Sequence, residues 1–345
     1  MASTSSSRAH SPASFHPQVG GLLLDVKDLE LFHFYTTTTS LTVSNIPERQ
    51  QLWQQVVPKF AFSHPFLLHG LLAFSALHLA YLTPERRTAL RAQAAAHHDA
   101  GVSLFRAAMT NITPENCNAC FAFSSLLGVY AWASSDQNGD LFFSNTSSTG
   151  EQLTPEWANL LRGMQHLVEV AWQWLEQGPM KLLLYPWAME SHGMDPELIR
   201  EAHPETSARL TSLSRLWDMS NNKFDPADVE VLDRTLSRLH EAYGMMKSSD
   251  SECQVALIGV ALTWPIRVPE RFLAMVNQLE PEALILLAHY SIILNKVDDV
   301  WFMHGMSGHL LRSIQQRLGK EWESWIAWPL QDLVMSEFKS GEMNT

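Results

Sequence analysis

Apolar residues recur at three- and four-residue spacing along most of the chain, the period of a helix with one face in a core. Over 27–40 the pattern is carried by Leu29, Leu31, Phe32 and Phe34, and over 47–60 by Leu52, Val56 and Val57. Residues 64–82, HPFLLHGLLAFSALHLAYL, are apolar on nearly every side. A helix without a polar face has to be buried, so this segment is expected at the centre of the fold. Helix starts repeat as a capping residue, a proline and an acid: Thr83-Pro84-Glu85, Thr113-Pro114-Glu115, Thr154-Pro155-Glu156, Asp195-Pro196-Glu197 and Glu280-Pro281-Glu282. Asp225-Pro226 and Pro269-Glu270 are variants of the same signal. A short polar side chain caps the open N–H groups, and proline suits the first turn because the N–H it lacks has no helical partner there. The first two starts predict helices running to about Thr110 and Ala133. No run alternates β-branched and polar residues, and no repeat of fixed period is present. The fold class expected is all-α.

Two stretches break the pattern. Residues 1–21 are rich in Ser, Pro and Gly and read as a disordered tail. Residues 134–153, SSDQNGDLFFSNTSSTGEQL, read as a loop, either a linker or a mobile cover over a site. The rest of 22–345 reads as a single helical domain. With 46% hydrophobic residues and 12 Trp, it has ample material for a large core.

Charge narrows the partners. A formal net charge of -12 with no dense basic patch argues against a module that grips a phosphate backbone. No apolar run is expected to reach the length of a membrane span, and the N-terminus has no apolar core of a secretory signal. These features give the expectation of a soluble cytoplasmic protein with neither nucleic acid nor membrane as partner; a homodimer is a candidate assembly. Of three cysteines, Cys117 and Cys120 form a lone C-x-x-C. With no second ligand pair and no preceding thioredoxin-like strand, it reads as two small buried side chains on adjoining turns.

Several segments resemble the C-terminal effector domain of fungal zinc-cluster regulators related to sterol uptake control proteins. They include LELFHFYTTTTSLTVS (28–43), HPFLLHGLLAFSALHLAYL (64–82), ENCNACFAFSSLLGVYAWA (115–133) and LLRGMQHLVEVAW (160–172). EALILLAHYSIILNKVDDVWFMHGMSGHLL (282–311) and WIAWPLQDL (325–333) complete the set. The resemblance implies a helical bundle enclosing an apolar ligand pocket. Such regulators carry a six-cysteine zinc cluster ahead of this domain, whereas no cysteine precedes Cys117 here. Zinc-cluster DNA binding is therefore not expected of this chain. The sequence is also similar to the atypical humulene synthases of fungal tropolone-sesquiterpenoid biosynthesis. That likeness implies Mg2+-dependent cyclisation of farnesyl diphosphate, with Lys296 holding the diphosphate and Ile292 as the aliphatic residue that influences product geometry.

That chemistry makes definite demands on the side chains. Ionising a prenyl diphosphate needs metal ions and cationic donors on the leaving group, and an aromatic cavity for the carbocation. Asn295, Lys296, Asp298 and Asp299 lie within five residues of one another, and helical spacing would put Asn295, Lys296 and Asp299 on one face. Two readings stay open for them: a magnesium–diphosphate site, or an ion pair on a solvated stretch. Asp99, after AQAAAHH, is the further metal-ligand candidate, with a surface carboxylate as the plainer alternative. Trp264, Phe123 and Phe302 are candidate substrate contacts in an aromatic stock that helical spacing also explains as core. The third carboxylate of a DDxxD motif is absent, as are a G-x-S-x-G elbow and a Gly-rich phosphate loop. The leading expectation is thus a sesquiterpene cyclase, a lyase acting on a prenyl diphosphate. The alternative is a lipid- or sterol-binding regulatory module, and a third reading is a regulator fragment with no activity of its own.

Overall fold

The computed structural model describes residues 18–19, 22–134, 143, 156–184, 204–218, 224–247 and 257–342. The tail before Gln18 and the loop at 134–153, apart from Ser134 and Phe143, lie outside these residues, as do Asp195-Pro196-Glu197 and Cys253. Gln18–Val19 (β1) and Leu22–Leu23 (β2) form a two-residue antiparallel pair, and every other described element is helical. The all-α expectation holds.

Helix α1, Val26–Thr37, starts on a reciprocal cap: Asp25 accepts from the Asp28 N–H at 2.9 Å while Asp28 accepts from the Asp25 N–H at 3.0 Å. α2 (Pro47–Gln51) and α3 (Val57–Ala61) flank a widened π turn at Leu52–Val56. α4 is Pro65–Leu82, α5 Arg87–Ala108, α6 Cys117–Ser134 and α7 Glu156–Gln177. α8 (Pro204–Thr211) and α9 (Arg215–Asp218) are short, and α10 spans Pro226–Lys247. α11 is Leu257–Arg267, α12 Glu270–Asn277, α13 Pro281–Asn295, α14 Met306–Arg317 and α15 Ala327–Glu342. The cap–proline starts that can be compared all lie at or within three residues of an observed helix.

α4 packs against α1, α5 and α6. Its apolar 18 residues are long and hydrophobic enough to cross a membrane, which corrects the expectation that no run reaches that length; 78% of the helix is buried within the protein. α4 and α5 each approach α6 through a glycine that faces the same ring: a Cβ at Gly70 of α4 would meet Phe123 at 2.8 Å, and one at Gly101 of α5 would meet it at 3.0 Å. A second group gathers around α13, buried from Glu282 to Leu294, with α10, α14 and α15 against it. α7 joins the two groups by packing on α6 and α11.

Two prolines shape the ground between those groups. In the π turn the Val57 N–H donates to the Leu52 carbonyl, five residues back. The next carbonyl, that of Trp53, would then need the N–H of residue 58, which is proline and has none. The hydroxyl of Tyr35, fully buried on α1, donates to it at 3.0 Å instead. α11 repeats the device: Pro265 removes the donor that the Ala261 carbonyl would receive, and the buried Tyr290 hydroxyl from α13 donates there. The one continuous helix expected over 47–60 is therefore interrupted, and the interruption is anchored from the core.

Candidate ligand-binding site

A cavity of about 120 Å³ lies where the segment 43–53 meets α6, α7 and α11. α6 presents Phe121, Ser125, Val129 and Trp132 to it, a stripe at helical spacing, and α11 presents Ile258, Leu262, Thr263 and Ile266. Met164, Leu183 and Phe302 close other sides. Trp53 enters from the π turn, so the carbonyl held by Tyr35 belongs to a wall residue. The α11 stripe likewise straddles the Pro265–Tyr290 device.

Polarity in this lining is uneven. The Thr263 hydroxyl donates to the Gly259 carbonyl at 2.8 Å and that of Ser125 to the Phe121 carbonyl at 2.9 Å, so both donors are used within their own helices. Ser44 differs: its oxygen accepts from the Ile46 N–H at 3.1 Å, which leaves its proton to give. Arg49 is the one charged side chain in the described lining. Among those residues there is no carboxylate, imidazole, thiol or amine. The cavity can hold a compact apolar body, and its described lining has no acid–base pair for chemistry.

Of the candidate substrate contacts, Phe302 alone lines this cavity. Phe123 is packed between Phe66 and Phe105 at centroid distances of 5.5 and 4.8 Å. Trp264 stacks on Tyr290 at 4.4 Å, and Ile292 is buried in α13. The acid-rich segment does not continue the helix: α13 ends at Asn295, and Lys296 is its C-cap. Lys296 is exposed and its ammonium donates to Asp332 of α15 at 3.2 Å, while the Asn295 amide donates to the same carboxylate at 2.8 Å. Asp298 accepts from the Gly305 N–H at 2.7 Å, ahead of α14, and Asp299 is exposed. Asp99 is exposed on α5. The shared helical face is thus replaced by a turn in which three of these four side chains serve as local fastenings. Among the described residues no three His, Cys, Asp or Glu side chains converge as metal ligands, so Asp99, Asp298 and Asp299 do not form the set a magnesium pair would need.

The histidines before Asp99 do form a constellation, one the linear pattern hid. His97 Nε2 lies 3.0 Å from Asp28 Oδ1, and His97 Nδ1 lies 2.9 Å from His69 Nδ1. With the carboxylate accepting from Nε2–H, His97 receives the His69 proton on Nδ1, and the chain ties α5 to both α1 and α4. Burial, and next the neighbouring His97, push the His69 pKa down to about 4. His98 points elsewhere, stacked on Tyr130 at 3.8 Å. Cys117 and Cys120 are buried free thiols, and burial raises Cys120 to about 12, which fits the packing role.

Residues 30–173 match the family model described as "Fungal specific transcription factor domain". Across 89% of its length the chain is 25% identical to a "Zn(2)-C6 fungal-type transcription factor" of Gibberella zeae, covering 62% of that protein. It is 23% identical to "Sterol uptake control protein 2" of Saccharomyces cerevisiae over 86% of this chain and 31% of that one. The Candida albicans protein of the same name is also 23% identical, over 86% and 41%. These matches support the effector scaffold of zinc-cluster regulators. The chain spans less than two thirds of each of these relatives.

They also overturn the expectation of a cyclase. The matched model and relatives point to a regulatory role, not to a lyase acting on a prenyl diphosphate, and humulene synthase activity finds no support among them. The geometry supplies a physical reason: Lys296 lies at the protein surface against Asp332, and it is not part of the cavity lining.

Proposed function

We propose that this chain is the small-molecule-reading effector module of a transcriptional regulator, and that the cavity between segment 43–53, α6 and α11 is where the molecule sits. The observation that carries the reading is a mostly apolar cavity with aromatic side chains in its walls, set in a scaffold shared with regulators. Such pockets bind by apolar burial and use a few polar groups to orient the ligand. The cavity is lined by helices from both packed groups of the fold. A guest therefore touches α6 and α11 together and shifts their relative position in proportion to its differential affinity for the two arrangements. Relatives named for sterol uptake control place sterols in the ligand panel. At about 120 Å³ the cavity is nearer in size to one ring, so a sterol would enter only with the walls parted.

The test fuses the chain to a heterologous DNA-binding domain driving a reporter. Reporter output should change when sterols and ring-sized apolar compounds are supplied, and Val129→Phe, which fills the cavity, should fix the output at one level. Equal output from wild type and Val129→Phe under every compound would overturn the reading.

A further inference from the structure

We infer that the cavity selects a neutral molecule of about one ring that carries a carbonyl, as a ketone or lactone does, with the carbonyl oxygen accepting from the Ser44 hydroxyl. This deepens the module reading above and rests on it. The argument follows the side-chain donors of the described lining. Thr263 and Ser125 give their protons to carbonyls of their own helices. Arg49 and Trp132 are engaged with other groups. Two donors remain. The Ser44 oxygen accepts from the Ile46 N–H at 3.1 Å, but its own proton has no acceptor among the described residues, and the indole N–H of Trp53 likewise has none. Both residues line the cavity, and both are deeply buried, at 5% and 6% exposure.

A guest that fills so small a space shuts water away from these donors. A hydrocarbon would leave them with no partner at all, a cost that an acceptor on the guest recovers. A carbonyl oxygen answers that need most simply, with two lone pairs and no proton of its own to place. An alcohol accepts as well, but its proton then calls for an acceptor beside the donor. Charge of either sign is disfavoured. The described lining has no carboxylate to meet a cation, and its one cation, Arg49, is already engaged. A buried ion without its own partner costs far more than a buried neutral dipole. Size sets the body: about 120 Å³ compares with the roughly 150 Å³ cavity that takes benzene, and falls short of the roughly 300–1,000 Å³ of drug-sized pockets.

The experiment uses the full chain and four compounds of similar size: acetophenone, α-methylbenzyl alcohol, ethylbenzene and benzoate. Affinities are measured by titration calorimetry in wild type, Ser44→Ala, Ser44→Thr and Val129→Phe. In wild type, acetophenone should bind more tightly than the alcohol or benzoate. The ratio of acetophenone to ethylbenzene affinity is taken within each variant, so that any general loosening of the wall cancels. It should fall about 2- to 10-fold in Ser44→Ala, the size of one neutral hydrogen bond, and hold in Ser44→Thr, which keeps the hydroxyl. With an isotope-labelled carbonyl, the infrared stretch of bound acetophenone should lie lower in wild type than in Ser44→Ala, because a donated hydrogen bond weakens C=O. A ratio or a stretch unmoved in Ser44→Ala, the alcohol or benzoate binding as tightly as the ketone, or no binding of acetophenone would overturn the inference. Ethylbenzene that still binds wild type and is lost in Val129→Phe would then leave the module reading standing alone. If no compound binds and the reporter ignores Val129→Phe, both fall.

Discussion

The turn at 295–299 holds an amide, a lysine and two acids within five residues, whereas the described cavity lining holds one charged side chain among aromatic and aliphatic ones. Sequence inspection favours the turn, because ionisable residues beside an apolar helix stand out. The structure reverses that ranking. In the turn, Lys296 and Asn295 share Asp332, and Asp298 serves the Gly305 N–H, so the polar groups are consumed in holding α13, α14 and α15 together. In the cavity wall, polar side chains are few and most of the surface is left for apolar contact. Density of chemistry along a chain marks where helices end as readily as where ligands bind, because helix ends need capping.

The largest test of that contrast is on the wall. Trp132 is 2% exposed and stands at the last position of the α6 stripe. Trp132→Ala removes a large buried aromatic beside an existing void, where neighbours have little reason to collapse inward. Urea denaturation should show a loss of about 3–5 kcal/mol. A loss under 1 kcal/mol would mean that the wall is loose, and that the cavity is a packing defect with no defined shape.

Much of the fold was legible because its signals are local. Thr83-Pro84, Asp225-Pro226 and Glu280-Pro281 each lie at the start of a helical segment, and the all-round apolar run became the buried α4. The break within 47–60 was legible in principle from Pro58, since proline in a helix interior removes a hydrogen bond. The site was not legible for a different reason. Its wall stripes at 121–132 and 258–266 have the spacing of any core-facing helix, and whether such a stripe meets another side chain or a void depends on three helices distant in sequence. The Asp28–His97–His69 chain was hidden likewise: its members are 69 and 28 residues apart. Reading Asn295 to Asp299 as one helical face failed because α13 stops at Asn295, a boundary that periodicity locates poorly.

A middle-sized effect separates the two proline devices from ordinary core packing. Tyr35→Phe keeps the ring and removes only the hydroxyl that donates to the Trp53 carbonyl. Because Pro58 leaves that carbonyl without its helical donor, the loss strands a buried acceptor and should cost about 1–3 kcal/mol in denaturant midpoint analysis. Because Trp53 lines the cavity, the same substitution should also weaken any ligand that rests on its indole. A tyrosine hydroxyl with a merely incidental contact would show neither change, and the π turn would then owe its shape to Pro58 alone.

The smallest expected effect concerns the turn that looked most chemical. Lys296 is 45% exposed and Asp332 21%, at a separation of 3.2 Å. An ion pair so open to water gains little Coulomb energy, is screened by salt, and holds a flexible side chain in one geometry at an entropic cost. A double-mutant cycle on Lys296→Ala and Asp332→Ala should therefore give a coupling of about 0.2–1 kcal/mol, falling further in 1 M salt. The single Asp332→Ala change should cost more than Lys296→Ala, because it also removes the acceptor of the Asn295 amide. A coupling several times larger and insensitive to salt would mean that the pair is desolvated in solution. The turn would then carry electrostatic consequence after all, and its contrast with the cavity wall would be one of degree.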